Sequence, residues 1–88
     1  MKIVINKCYG GFGISETGLK ILGEENYWDI GRTDERLISL IENGYKIDDY
    51  FAKLVVVEIP DEATDWKIDE YDGFERVIYV VDGKIFQI

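Results

Sequence analysis

With 88 residues, a single cysteine, no histidine and a formal net charge of −8, the chain falls outside several classes. It cannot close an internal disulfide, it lacks the usual ligands of a transition-metal site, and its charge opposes DNA, RNA and anionic membranes as partners. A chain this short forms one domain, residues 1–88, that buries only about 60–65% of its unfolded surface, yet at 47% hydrophobic and 14% aromatic it is too apolar for a disordered tail.

The first segment, Lys2 to Cys8, reads as a strand. Its apolar residues Ile3, Val4 and Ile5 are consecutive, which predicts an interior strand with both faces partly covered. The glycine loop CYGGFGIS, residues 8–15, follows. Ser15 then suits the N-cap of a short helix over Glu16 to Leu22, which Gly18 weakens by about 1 kcal/mol relative to alanine and Gly23 ends. Tyr27 and Trp28 sit in a connection. Thr33 is the expected cap of a second helix, with Asp34 and Glu35 in its first turn, Leu37, Ile38, Leu40 and Ile41 as its apolar stripe, and Gly44 closing it. Residues 45–51 read as loop.

The remainder is β-rich. Lys53 to Ile59 is a Val/Ile strand stopped by Pro60, and Trp66 to Tyr71 alternates. Asp72-Gly73 turns the chain into Phe74 to Val81, and Asp82-Gly83 is a strong hairpin signal before Lys84 to Gln87. The order β-α-α-β-β-β-β predicts an α+β fold, a small single sheet with two helices packed on one face. The first two strands are expected to run parallel through a right-handed crossover, followed by an antiparallel meander.

Two readings of the glycine loop stand side by side. A strand, a glycine-rich turn and a helix N-terminus together offer free N–H groups to an anion. Gly11 and Gly13 would let a phosphate approach the backbone, Lys7 and Ser15 would add contacts, and Tyr9 and Phe12 could stack on a base. Alternatively, the glycines only turn a tight corner while Phe12 enters the core. The loop is neither a P-loop nor a dinucleotide fingerprint. Cys8 has no histidine to serve as its base, and the acidic pairs Asp48-Asp49 and Asp61-Glu62 match no calcium loop. The chain therefore reads as a non-enzyme that needs no cofactor and no metal. Six Tyr, four Phe and two Trp exceed the needs of a small core, which leaves rings for a binding surface or for a homodimer or higher homo-oligomer interface. Arg76, alternating with Glu75, is either a sheet-face residue or a phosphate partner, and Trp66, Tyr71 and Phe74 either pack in the core or line a ligand pocket or dimer interface.

The opening KIVINKCYGGFGIS resembles the start of a widespread family of small phage-encoded proteins, in which KIVINKCYGGFG is followed by Leu-Ser or a close variant. WKIDEYDGFE, centred on Tyr71-Asp72-Gly73 with Glu75 after it, is also similar, whereas the helical middle of the chain matches less clearly. The likeness extends to viral sponges that sequester cyclic-nucleotide immune signals, such as the anti-CBASS sponges. It implies a small nucleotide ligand, ligand-facing positions Asn6, Lys7, Tyr9, Gly10, Gly11, Phe12, Gly13 and Ser15, and a pocket shared by two protomers. The expected setting is the cytoplasm of an infected bacterial host, since the apolar opening is too short for a signal peptide and no run spans a membrane. The alternative function is that of an acidic, DNA-mimic-like inhibitor of a host nucleic-acid-binding defence protein, steered by the net charge.

Overall fold

The computed structural model describes residues 1–88. The chain order is β1 (Lys2–Asn6), α1 (Glu16–Leu22), a 3-10 turn (Tyr27–Asp29), α2 (Glu35–Glu42), β2 (Leu54–Glu58), β3 (Asp65–Tyr71), β4 (Phe74–Val81) and β5 (Lys84–Gln87). The fold is α+β, with two corrections to the expected architecture. The strands form two antiparallel sheets, β1-β2 and β3-β4-β5, in place of one. And β1 and β2 run antiparallel, with Ile3 opposite Val57, Val4 opposite Val56 and Ile5 opposite Val55.

The antiparallel pairing has a local cause. Beyond β1 and before β2 the two arms stay in contact: the Lys7 N–H donates to the Lys53 carbonyl, the Ser15 N–H to the Ile47 carbonyl, and Ile14 bridges Asp48. Residues 7–15 and 47–53 therefore extend the ribbon as one long hairpin. The two helices are an excursion between its arms, so the chain returns to the end of β1 it left.

The ribbon is the middle of three layers. Its alternation sends Val4, Leu54 and Val56 toward Ile14, Leu22, Ile30, Leu37, Ile38 and Ile47 on the helical side. Ile3, Ile5, Val55 and Val57 go toward Val77, Trp66, Ile68 and Tyr79 of the second sheet. This explains why Ile3, Val4 and Ile5 are all fully buried: in a strand covered on both faces neither side-chain direction reaches water.

Local chemistry sets the element ends. Ser15 caps α1 by accepting the Gly18 N–H, and Gly23 ends it at φ 74°. Asp34 caps α2 in place of the expected Thr33, accepting from the Arg36 and Leu37 N–H groups. Gly18 is demanded by packing, since a Cβ there would lie 2.8 Å from the Ile47 Cβ and 2.9 Å from the Ile14 Cγ2. Both hairpin turns place two residues at positive φ, Asp72 and Gly73, then Asp82 and Gly83, the geometry whose twist suits a two-residue connection. No helix is long and apolar enough to cross a membrane.

Candidate functional site

Where the two sheets meet, a polar junction lies inside the apolar core. Asn6 is fully buried, and its amide donates to the carbonyls of Cys8 at 2.7 Å and Gly73 at 2.8 Å, while its Oδ1 accepts the Lys53 N–H at 2.7 Å. The Asn6 backbone N–H donates to Glu75 Oε1 at 2.7 Å. Glu75, buried on β4, also takes a two-pronged ion pair from Arg32, Nη1 to Oε1 at 2.7 Å and Nη2 to Oε2 at 2.9 Å. The guanidinium lies 3.6 Å from the centroid of the Phe12 ring, which also meets Tyr27 at 5.9 Å. No buried side-chain polar atom is left without a partner, as a low-dielectric interior requires.

Most of the expected ligand loop is taken up in close packing around this junction. Asn6 has no free polar atom to offer. Phe12 is half-buried between Arg32 and the helical core, as the corner reading of the loop expects. Gly10 lies against Phe51, where a Cβ would overlap the Phe51 backbone, and Gly13 is buried with Asp49 against it. Gly11 turns the chain at φ 92°, and the Asp72-Gly73 turn docks on it so closely that a Cβ on Gly73 would sit 2.5 Å from the Gly11 nitrogen. The Ser15 hydroxyl is committed to its own helix, and Glu16 adds a negative charge to the first turn, which opposes an anion there. The loop is shaped by close packing of the chain on itself, and Asn6, Gly10, Gly11, Phe12, Gly13 and Ser15 lie at this corner, outside the lining of the cleft beside it.

The other four expected residues converge. Lys7, Tyr9, Tyr71 and Arg76 line one open cleft of about 520 Å3 together with Phe74, Gln87 and Ile88, a size typical of small-molecule sites, about 300–1,000 Å3. The junction builds it by alternation. Asn6 and Glu75 point inward and bind each other, so their neighbours Lys7, Phe74 and Arg76 are presented on the opposite side. The Lys7 ammonium lies 5.2 Å from the Phe74 ring centroid, and Tyr9 leans on the same ring at 5.2 Å and 43°. Arg76 gives Nε and Nη2 to one oxygen of Asp69, at 3.0 and 2.9 Å. Tyr71 is 79% exposed. The cleft thus sets two cations among three aromatic rings on a chain of net charge −8.

A second hollow, of about 560 Å3, lies beside α2, but Glu35 and Glu42 line it with Lys2 and a set of small polar groups. It has none of the aromatic rings of the first. No group of three or more His, Cys, Asp or Glu is placed to hold a metal. Phe74, which by sequence could pack in the core or line a pocket or interface, stands at the centre of the cleft. Sequence reasoning missed Arg32, whose role depends on a partner 43 residues away. Comparison of the chain with family models, curated proteins and solved structures finds no significant match.

Proposed function

We propose that this protein is a non-catalytic binding protein that sequesters a small nucleotide in the cleft formed by Lys7, Tyr9, Tyr71, Phe74 and Arg76. In this reading it is a phage-encoded sponge for a cyclic-nucleotide immune signal. The observation that carries the reading is the meeting of two cations and exposed aromatic rings at one open cleft of a strongly acidic chain. An acidic surface repels anions at long range, so an anionic ligand needs a local positive site, and Lys7 and Arg76 supply one. A base needs a π face. Stacking on an aromatic side chain is worth about 1–3 kcal/mol per base in single-strand binders, and Tyr71, Tyr9 and Phe74 offer such faces beside the cations. The cleft residues form no pair of nucleophile and base, and binding alone suffices for a sponge.

The test is titration calorimetry of the protein against a panel of cyclic di- and trinucleotides and linear mononucleotides. The expected result is tight binding of one of them, with the ligand recovered chemically intact when the protein is denatured. Phe74→Ala should remove most of the affinity. Arg76→Ala should weaken binding several-fold and flatten its salt dependence, because one ion contact is lost. Absence of binding across the panel, or affinity unchanged in both folded variants, would sink the proposal. Conversion of the ligand would replace the sponge with an enzyme.

A further inference from the structure

The outer face of the β3-β4-β5 sheet is uncovered, and its side chains follow from the register. Trp66 and Ile68 of β3 and Val77 and Tyr79 of β4 pack inward, and Phe86 of β5 stacks on Tyr79 at 5.5 Å. Alternation therefore turns Asp65, Lys67 and Asp69, then Arg76, Ile78 and Val80, then Ile85, to the other side. Antiparallel sheets often leave one face in water, and that face is ordinarily polar. Here Ile85 stands 75% exposed. Beside it Lys67, Ile78, Val80 and Ile85 border a shallow hollow of about 150 Å3, with room for one aliphatic side chain. A protruding isoleucine next to an apolar hollow on the same face is the arrangement a two-fold contact uses, because each copy offers both halves.

Charge points to the same occupant. The whole chain carries −8, so most approaches of one copy to another are repulsive. On this face two acids, Asp65 and Asp69, stand against two bases, Lys67 and Arg76, and the sum is zero. Along β3 the signs alternate, Asp65 negative, Lys67 positive, Asp69 negative, so a copy related by a two-fold axis can set Lys67 against Asp65. We infer that a second copy of this chain docks on this face, seating Ile85 of each copy in the hollow of the other and matching Lys67 with Asp65 across the axis. The contact is small by the measure of stable interfaces, which use about 20–30 residues a side, so the dimer forms in a concentration-dependent way. Tyr71, Phe74 and Arg76 belong to the same face, so the second copy stands over the open side of the cleft; that consequence alone rests on the function proposed above.

The test is sedimentation velocity of the full chain without nucleotide, across a dilution series, so that failure of the dimer and failure of ligand binding are read separately. Wild type should pass from monomer to dimer as concentration rises. Ile85→Glu, at an exposed position, should remain folded by circular dichroism and monomeric at every concentration. Lys67→Asp should weaken the dimer at least ten-fold, an expectation of order ~1.4 kcal/mol, and the pair Asp65→Lys with Lys67→Asp should restore it. A wild type that stays monomeric throughout would overturn the inference. So would a dimer indifferent to Lys67→Asp, or one that the paired exchange fails to rescue.

Discussion

At Glu75 a single carboxylate ties together three parts of the chain. It accepts from the Asn6 backbone on β1 and from both prongs of Arg32, which follows the 3-10 turn. With Glu75 only 4% exposed, its pairing is a condition of its burial: an ionised carboxylate out of water is tolerated only with full compensation. Glu75→Gln keeps the shape but leaves the Arg32 guanidinium without a counter-charge. We expect a loss of about 3 kcal/mol in urea unfolding, at the low end for breaking a buried pair because Arg32 keeps partial contact with water. An unchanged midpoint would show that the junction is not held by charge. Phe12 illustrates what residue type alone leaves open. A phenylalanine in a glycine loop fits a base or a core equally well, and only the folded chain brings the guanidinium to 3.6 Å from its ring centroid.

The elements are set by their ends. Asp34 is the cap of α2, and hydrogen bonding from the Arg36 side chain, ahead of that from the backbone N–H groups, holds its carboxyl below the ordinary carboxylate range. A folded-state pKa that is depressed means that the ionised form stabilises the fold. The contribution is complete above the unfolded value and is lost as pH falls through the folded one. Asp34→Ala should therefore lower stability by about 1 kcal/mol near neutral pH, and the gap to wild type should close below about pH 4, which thermal unfolding at the two pH values will show. The hairpins give a second contrast. Gly73 and Gly83 both sit at positive φ, but a Cβ on Gly83 meets nothing while one on Gly73 runs into Gly11. Gly83→Ala should cost about 1–2 kcal/mol for the left-handed backbone alone. Gly73→Ala should cost a further ~1–3 kcal/mol of overpacking, measured by chemical denaturation; equal losses would mean that the turn does not bear on the loop.

For the whole molecule, the consequence of three layers is that one short ribbon serves two cores. Ile5 faces the second sheet and is fully buried, so Ile5→Ala should remove about 2–5 kcal/mol. Ile21 of α1, 53% exposed, should tolerate alanine within about 0.5 kcal/mol. Comparable losses at both positions would contradict the layering. The same layering makes the cleft. The second sheet can present Phe74 and Arg76 outward because its other face is committed, through Glu75 and Val77, to the ribbon. The site is then a by-product of sheet packing, and its residues come from the end of β1, the β3-β4 hairpin and the end of β5.

The sequence by itself determined the elements. Helix α1, β4 and β5 lie where capping, glycine and hairpin signals placed them, and consecutive Ile3, Val4 and Ile5 announced a strand with both faces partly covered, because these are local properties of propensity and periodicity. Lys7, Tyr9, Tyr71 and Arg76 were legible one by one as candidate types, cations and rings near turns. Tertiary structure alone decided which candidates meet. That Asn6 spends its amide on Gly73, that Gly11 lies beneath the turn at Gly73, that Arg32 finds Glu75 and covers Phe12, and that β2 returns antiparallel to β1 are all contacts between residues far apart in the chain. Their energies come from burial and from the need to pair every buried polar group, and neither quantity exists until the layers have closed on one another.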